Sequence, residues 1–591
     1  MKIKIAILFV LISIIVLFFF RSFDNYFLSD DFTFVKEFKL DKFSDLNRIF
    51  APEYPVKTWK EIDYNYGIKS GYGFYRPTLN LVFAISTQLF GYNAGAYRVV
   101  AFIVYLSYTI LGFVLIYLVS KDFALAVLSS LILAVHPVRD IYLLFICTYG
   151  GMCFVFYLLA VILYIIYRSS HTNVTRYLSL CLSFLCAILG YFYYEVLITL
   201  PLAIILVEFF MAKLLNRWRL NLLNTIPYFV LAGLYFVIRW FVLHGLGNSP
   251  GVYDLSNVFE LIKNFVKLNI LMFVPNFNEF LQSVSTVIPR PLRHKIIGAL
   301  FFFVLTICIL FLVFFFKNKD IQSRIKDFAQ RHNIYLKLIV FSILWVFIGM
   351  LPGIPYPVIR LLEVSVVGFS MLLAIFIVSL ANFLKVRFRV HKFITYGVLV
   401  ISIWTYYYSL ISIHVNEYEM GDQITKGIVN GEILGNMTDK EGKVTVYFLN
   451  FVNAIGDCHL GVNGMSEALQ IAYGKEDLRV KNPYLLNYPN VSAYKCSKSP
   501  KVKIISENTV VVDFDDNIYN VSFGHFNSAI SKGFQLKNGD YYTLEILEVN
   551  EKGAPKKIKL SFNKVADTVF FYLFNNSEDR LEPFQWNEST G

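Results

Sequence analysis
The feature that most constrains this chain is a recurrence along its first 413 residues. Apolar stretches of about 17–25 residues, each long enough to cross roughly 30 Å of hydrocarbon, return again and again. They lie near 4–20, 94–120, 123–139, 141–167, 177–194, 196–212, 223–243, 297–316, 335–351, 358–380 and 394–413. The pattern predicts an α-helical polytopic membrane protein with about eleven transmembrane helices. Lys2 and Lys4 precede an apolar run to Phe20, as in a signal peptide, but no small-residue cleavage site follows. The first stretch therefore reads as an uncleaved anchor.

Composition agrees. Apolar residues make up 56% of the 591 positions and charged residues 16%, so lipid replaces a large soluble core as the main solvent for the chain. The net charge of +12 sits in short basic clusters between apolar stretches, where a cytosolic membrane surface wants it, which argues against nucleic acid as a partner. Cys147, Cys153, Cys181, Cys186 and Cys308 lie in apolar stretches with no metal-ligand spacing and read as buried thiols. Cys458 and Cys496 are the two in the polar C-terminal part, so in an oxidising compartment each has only the other to pair with.

With the N-terminus cytosolic, the basic clusters at Lys121, Arg168/Arg176, Lys213/Arg217/Arg219, Lys317 to Arg331 and Lys385 to Lys392 all fall inside. The odd number of spans then puts residues 414–591 outside, together with two long loops, 21–93 and 244–296. The domain boundaries expected are thus a membrane domain over 1–413 and an extracytosolic domain over 414–591. Thr78–Phe90 and Val258–Met272 are amphipathic or too short to cross, and read as helices lying along the membrane. Runs such as Lys443–Asn450, Thr509–Phe514, Tyr541–Leu547 and Thr568–Phe574, separated by turn residues, predict that the C-terminal domain is β-rich. Asn-x-Ser/Thr triplets at Asn436, Asn490 and Asn520 are read as chance in an Asn-rich chain.

Ionisable side chains are costly in hydrocarbon, so their depth is informative. Arg98, His136, Arg139, Asp140, Glu195, Arg239, Arg360 and Glu363 all fall at the outer ends of their spans, and Glu208 is the exception at an inner end. A single charge at a helix end snorkels to the interface without further meaning. A one-sided gathering from six helices points instead to a polar cavity opening outward. The first outside loop adds Asp30 and Asp31, adjacent carboxylates in a segment read as extended, and returns to the membrane through Phe74-Tyr-Arg-Pro-Thr-Leu-Asn80, which brings Arg76 to the interface.

At these residues the chain resembles the GT-C class of integral-membrane glycosyltransferases, which use a polyprenyl-phosphate-linked sugar and carry acidic catalytic residues in the first outside loop. Local similarity is to transmembrane O-mannosyltransferases. It runs through Asp30-Asp31, Tyr75-Arg-Pro-Thr, Phe90-Gly-Tyr-Asn93, Ala134-Val-His-Pro-Val138, Glu195 with Leu200-Pro201, and Arg360 with its spacing to Gly368-Phe369. These islands span roughly the first 380 residues. The chain departs from that family at Arg98, where histidine is usual, at Tyr194 in place of lysine, and at Glu363 and Ser365 in place of tyrosine and proline. The tail carries no TPR pattern. The mannose donor and the protein acceptor therefore stay open.

The resemblance implies transfer of a sugar from a polyprenyl-phosphate donor to an acceptor hydroxyl of a glycan, lipid or protein at the extracytosolic face. The membrane is a plasma or inner membrane or the ER. One of Asp30 and Asp31 would be the general base and the other would orient it. Arg360, Arg76, Arg98 and Arg139 would bind the donor phosphate, for which the planar guanidinium is suited. His136, Glu195 and Glu363 would support them. No cofactor is demanded beyond the lipid-linked sugar, since arginines supply positive charge, although a divalent cation is compatible. The competing reading is a polytopic transporter or lipid flippase, whose binding groups belong near the bilayer midplane on broken helices.

Overall fold
The computed structural model describes residues 13, 16, 23–28, 30–40, 42–50, 75–139, 149, 151–217, 219–243, 258–273, 333–355, 359–388 and 391–429. In the C-terminal part it describes 444–449, 452–455, 458–459, 465–473, 478–481, 485–488, 500–506, 508–514, 520–522, 532–538, 542–549, 555–562, 569–575 and 580–583. The expected span 297–316, Asp140, Cys147, Cys308 and Cys496 lie outside the described residues, as does nearly all of 4–20.

Helices dominate. They are α1 (Asp30–Glu37), α2 (Pro77–Phe90), α3 (Ala94–Ser120), α4 (Phe123–Val135), α5 (Met152–Ser169), α6 (Asn173–Tyr191), α7 (Leu200–Phe209), α8 (Ile226–Leu243), α9 (Val258–Phe273), α10 (Asn333–Met350), α11 (Glu363–Phe388), α12 (Lys392–Val429) and α13 (Met465–Tyr473). Seven helical stretches among the described residues are long and apolar enough to cross a membrane: Ala94–Ser120, Met152–Ser169, Asn173–Tyr191, Glu195–Leu214, Leu222–Leu243, Ile334–Gly353 and Glu363–Asn382. The chain is a multi-span helical membrane protein with a strand-bearing C-terminal region.

Local chemistry explains the ends. The side chain of Asn93 caps α3 by accepting from the Ala96 N–H at 3.3 Å, and Asp122 caps α4 by accepting from the Leu125 N–H at 3.1 Å. The stretch expected to span 123–139 is shorter than predicted, because α4 stops at Val135. Pro137 has no N–H to continue the ladder and pushes His136 out of helical geometry, to ψ 126. The stretch Pro137–Arg139 is then a single 3-10 turn. The last span departs the other way. α12 runs on for 38 residues, well past position 413.

Packing follows the same economy of small residues that serves helices in lipid. A Cβ on Gly368 of α11 would sit 2.7 Å from the backbone oxygen of Ser342 on α10, and one on Gly349 would sit 2.6 Å from the backbone nitrogen of Ser365. Around that contact lies the buried Trp345, whose indole N–H donates to the Val364 carbonyl at 2.8 Å.

Strands β1–β13 in the C-terminal part form three sheets among the described residues. One is mixed, with β1 (Val444–Phe448) parallel to both β12 (Val569–Asn575) and β4 (Leu478–Lys481). The second is antiparallel throughout and runs β6 (Lys501–Ser506), β7 (Thr509–Asp513), β11 (Pro555–Phe562), β10 (Tyr542–Val549) and β9 (Gln535–Asn538). The third is a small sheet in the order β3 (Cys458–His459), β2 (Val452–Ile455), β5 (Leu485–Tyr488) and β8 (Asn520–Ser522). In β10 (Tyr542–Val549), Tyr542, Leu544 and Ile546 are buried and alternate with half-buried positions, the mark of a sheet with one core face.

Candidate functional site
The polar residues gather at the end of the bundle where α1, α12 and the C-terminal region lie. Arg76 precedes Pro77, which occupies the first turn of α2, where a missing N–H costs nothing. The N–H of Thr78 donates to the Phe192 carbonyl at 3.1 Å, which fixes the start of α2 beside the turn carrying Tyr194 and Glu195. There Arg76 Nη2 reaches Glu195 Oε2 at 2.7 Å, and its Nε lies 3.2 Å from both carboxylate oxygens. Arg239, near the end of α8, donates through Nη1 to Glu195 Oε1 at 2.6 Å and to the Tyr235 hydroxyl at 2.7 Å. The Arg76 guanidinium also lies over the Tyr194 ring, 4.4 Å from its centroid.

Among the described residues, two guanidiniums thus share the Glu195 carboxylate. Arg239 is 2% exposed, whereas Arg76 is 18% and Glu195 25% exposed, so the cluster is open on the Arg76 side. Burial works against the charged form of Arg76, but the charges of Glu195 and the nearby tyrosines overcome it and hold the guanidinium above its ordinary value. The thiol of Cys153, at the start of α5, lies within electrostatic reach of Glu363, Arg76 and Glu195. Glu363 itself is fully buried, and its carbonyl accepts from the Tyr108 hydroxyl at 2.8 Å.

A second group forms around Asp31. Asp30 and Asp31 open a helix, α1, so the extended segment expected from the sequence is corrected: successive side chains here stand about 100° apart around an axis and do not alternate across a strand. The Asp31 Oδ2 accepts from the Leu28 N–H at 3.2 Å, and the residue is fully buried. Arg98, at the first turn of α3, is 1% exposed. Its Nε donates to the Asn25 carbonyl at 2.7 Å and its Nη2 to the Tyr26 carbonyl at 2.5 Å, and it faces the carboxylates of Asp31 and Asp422. The two groups are joined through α2, whose Phe83 packs on Phe34 and Phe38 of α1 with centroids 5.0 and 6.3 Å apart.

His136 is fully buried. Its Nδ1 accepts from the Val138 N–H at 3.3 Å, so Nε2 is the protonated nitrogen and donates to the Met272 carbonyl at 3.0 Å. Its ring packs edge-on against Phe369 and Tyr407. This imidazole ties α4 to α9, α11 and α12. The 3-10 turns carrying Arg139 and Arg360, Pro137–Arg139 and Ile359–Leu362, pack against each other. Among the described residues no group of three or more His, Cys, Asp or Glu side chains converges as a metal site would require.

No family model matches this chain, and no curated protein matches it. Solved structures do. The chain is similar to ArnT from Cupriavidus metallidurans, solved bound to undecaprenyl phosphate, at 11% identity and a TM-score of 0.37, over 83% of this chain and 95% of that one. It is also similar to the archaeal oligosaccharyltransferase AglB from Archaeoglobus fulgidus, solved with an inhibitory peptide and a dolichol-phosphate, at 10% identity and a TM-score of 0.37, over 89% of this chain and 74% of that one. At these scores neither likeness specifies a substrate or a catalytic residue of this chain.

Three residues of this end escaped the candidate list drawn from the sequence. Arg239 was legible only as a charge near a helix end. Asp422 and Gln470 carried no signal, because their partners lie in α1 and the segment before it, hundreds of positions away.

Proposed function
We propose that this chain is a glycosyltransferase that moves a sugar from a polyprenyl-phosphate-linked donor to an acceptor hydroxyl at the extracytosolic membrane face. The observation that carries the reading is the Arg76–Glu195–Arg239 cluster, in which two fixed guanidiniums meet and Arg76 stays partly exposed, joined through α2 to the helix that Asp30 and Asp31 open. Charge grows on the departing phosphate as the glycosidic bond breaks, and a fixed guanidinium stabilises it with two parallel donors. Glu195 holds Arg76 in one rotamer before the donor arrives, and Arg360 and Arg139, on adjoining turns, complete the phosphate site. The acceptor hydroxyl needs a proton acceptor as it attacks the anomeric carbon. Asp31 is fully buried, already receives the Leu28 N–H and faces the Arg98 guanidinium, so its carboxylate is committed to holding the segment. Asp30, one position earlier on the same helix, is therefore assigned as the base. Arg98 holds the backbone that carries both.

The test uses the full chain in nanodiscs, a panel of synthetic undecaprenyl-phosphate monosaccharides as donors, and membrane extract as acceptor. Asp30→Asn is expected to lower transfer about 10²–10⁴-fold, the usual contribution of a general base, and Asp31→Asn to cost less. Near-normal transfer by both single variants and by the double variant would remove the base from this segment.

A further inference from the structure
The C-terminal region touches the helix to which the proposed function assigns the base. Lys36, in the last turn of α1, donates from Nζ to Gln470 Oε1 on α13. Gln470 is 4% exposed, and its Nε2 donates in turn to the Leu478 carbonyl at 2.6 Å. Leu478 begins β4, which pairs with the central strand β1 of the mixed sheet. A line of hydrogen bonds therefore runs from the interior of a C-terminal sheet to the acidic helix. The segment before α1 is held from a second direction, by α12. Asp422 Oδ1 accepts from the Tyr26 N–H at 2.7 Å, its Oδ2 pairs with Lys426 at 2.8 Å, and Lys426 Nζ also lies 3.3 Å from the Asp24 carbonyl.

A side-chain amide that is buried must satisfy its donor and its acceptor, or it costs free energy. Gln470 meets both requirements by facing α1 with its oxygen and β4 with its nitrogen. An apolar residue would fill that place between α13 and β4 as well, if packing were all it served. The geometry points to a different use: we propose that Gln470 is a positioning residue, which through Lys36 sets where α1 and its carboxylates stand over the membrane helices. The C-terminal region is then a working part of the site, and Lys36 is its point of attachment. The inference rests on the reading that α1 carries the base. A displacement of about 1 Å in a catalytic group costs on the order of 10²-fold in rate, so a lost tether has a measurable effect without any change in the reacting groups.

The test compares Gln470→Leu, Lys36→Met and Asp30→Asn in the full chain in nanodiscs, with the same undecaprenyl-phosphate monosaccharides. Amide hydrogen exchange is followed over residues 24–37 alongside transfer. Gln470→Leu and Lys36→Met are each expected to speed exchange across α1 and to lower kcat roughly 10- to 100-fold, with KM for the lipid-linked donor unchanged. The two losses are expected not to add, since either breaks the same contact. The double variant Lys36→Gln with Gln470→Lys rebuilds the contact with its polarity reversed and is expected to recover most of the rate. Wild-type kcat in Gln470→Leu and Lys36→Met, while Asp30→Asn loses activity, overturns the positioning role and spares the base. Wild-type kcat in all three, Asp30→Asn included, removes the base reading and the positioning role with it. Unchanged exchange across α1 shows that no tether exists.

Discussion
Glu195 and Glu208 begin and nearly end one apolar helical stretch, Glu195–Leu214, and each is met by arginine. Their surroundings differ in a way that separates stability from use. Glu208 is fully buried and receives the Tyr164 hydroxyl at 2.7 Å, Arg168 through two donors at 3.0 and 2.9 Å, and the Asn221 N–H at 2.8 Å. Every lone pair of that carboxylate is answered by protein, and nothing about it is open to a ligand. Glu208→Ala takes the carboxylate away from a guanidinium that is 10% exposed, so it is expected to cost about 3–5 kcal/mol and to lower the melting temperature in detergent sharply. An unchanged melting temperature would show that the pair contributes nothing. The depth of each charge was legible in the sequence, because hydrocarbon leaves few places for one. The pairing was not: Arg76 and Glu195 are 119 positions apart, and no local rule links them.

At the scale of elements, helices were the legible part, since a run of apolar residues long enough to span lipid has few other ways to fold. The sequence placed α2 and α9 within a residue or two, and a strand overlaps each of the four runs singled out in the C-terminal part. What it missed were terminations set by one residue, as at Pro137, and continuations past the membrane, as in α12. Gly368 shows how an island of resemblance acquires a physical cause. Its missing Cβ allows α10 and α11 to meet at the Ser342 carbonyl, a backbone atom that cannot swing aside. Gly368→Val is expected to force the two helices apart at a cost of about 1–3 kcal/mol, seen as a lower melting temperature. A variant as stable as the parent would mean that α10 and α11 slide freely.

For the whole molecule, the sidedness inferred from basic clusters leads to a direct expectation. A reporter fused after Phe584 should read as extracytosolic. A cytosolic reading would invert the topology and put the proposed site on the wrong face. The arrangement also places α1 between two bodies of different solvent, with membrane helices at Arg98 and Phe83 on one side and a strand-bearing region at Gln470 on the other. None of that was legible in the sequence, because the contact between Lys36 and Gln470 closes over 434 positions.

The length of α12 has a consequence of its own. Its 38 residues extend about 57 Å, at about 1.5 Å each, against about 30 Å of hydrocarbon. Such a helix is a screw gauge: adding one residue lifts everything above it by about 1.5 Å and turns it by about 100°. The height and the heading of Asp422 are thus written in the number of residues beneath it. A single alanine inserted after Val415 should swing Asp422 away from the Tyr26 N–H and speed exchange of that amide, whereas unaltered protection would mean that the helix has slack. Under the proposed function, a helix with no slack would require an acceptor to bring its hydroxyl to a fixed altitude above the bilayer, and molecules that cannot descend that far would be refused by reach before any pocket is consulted.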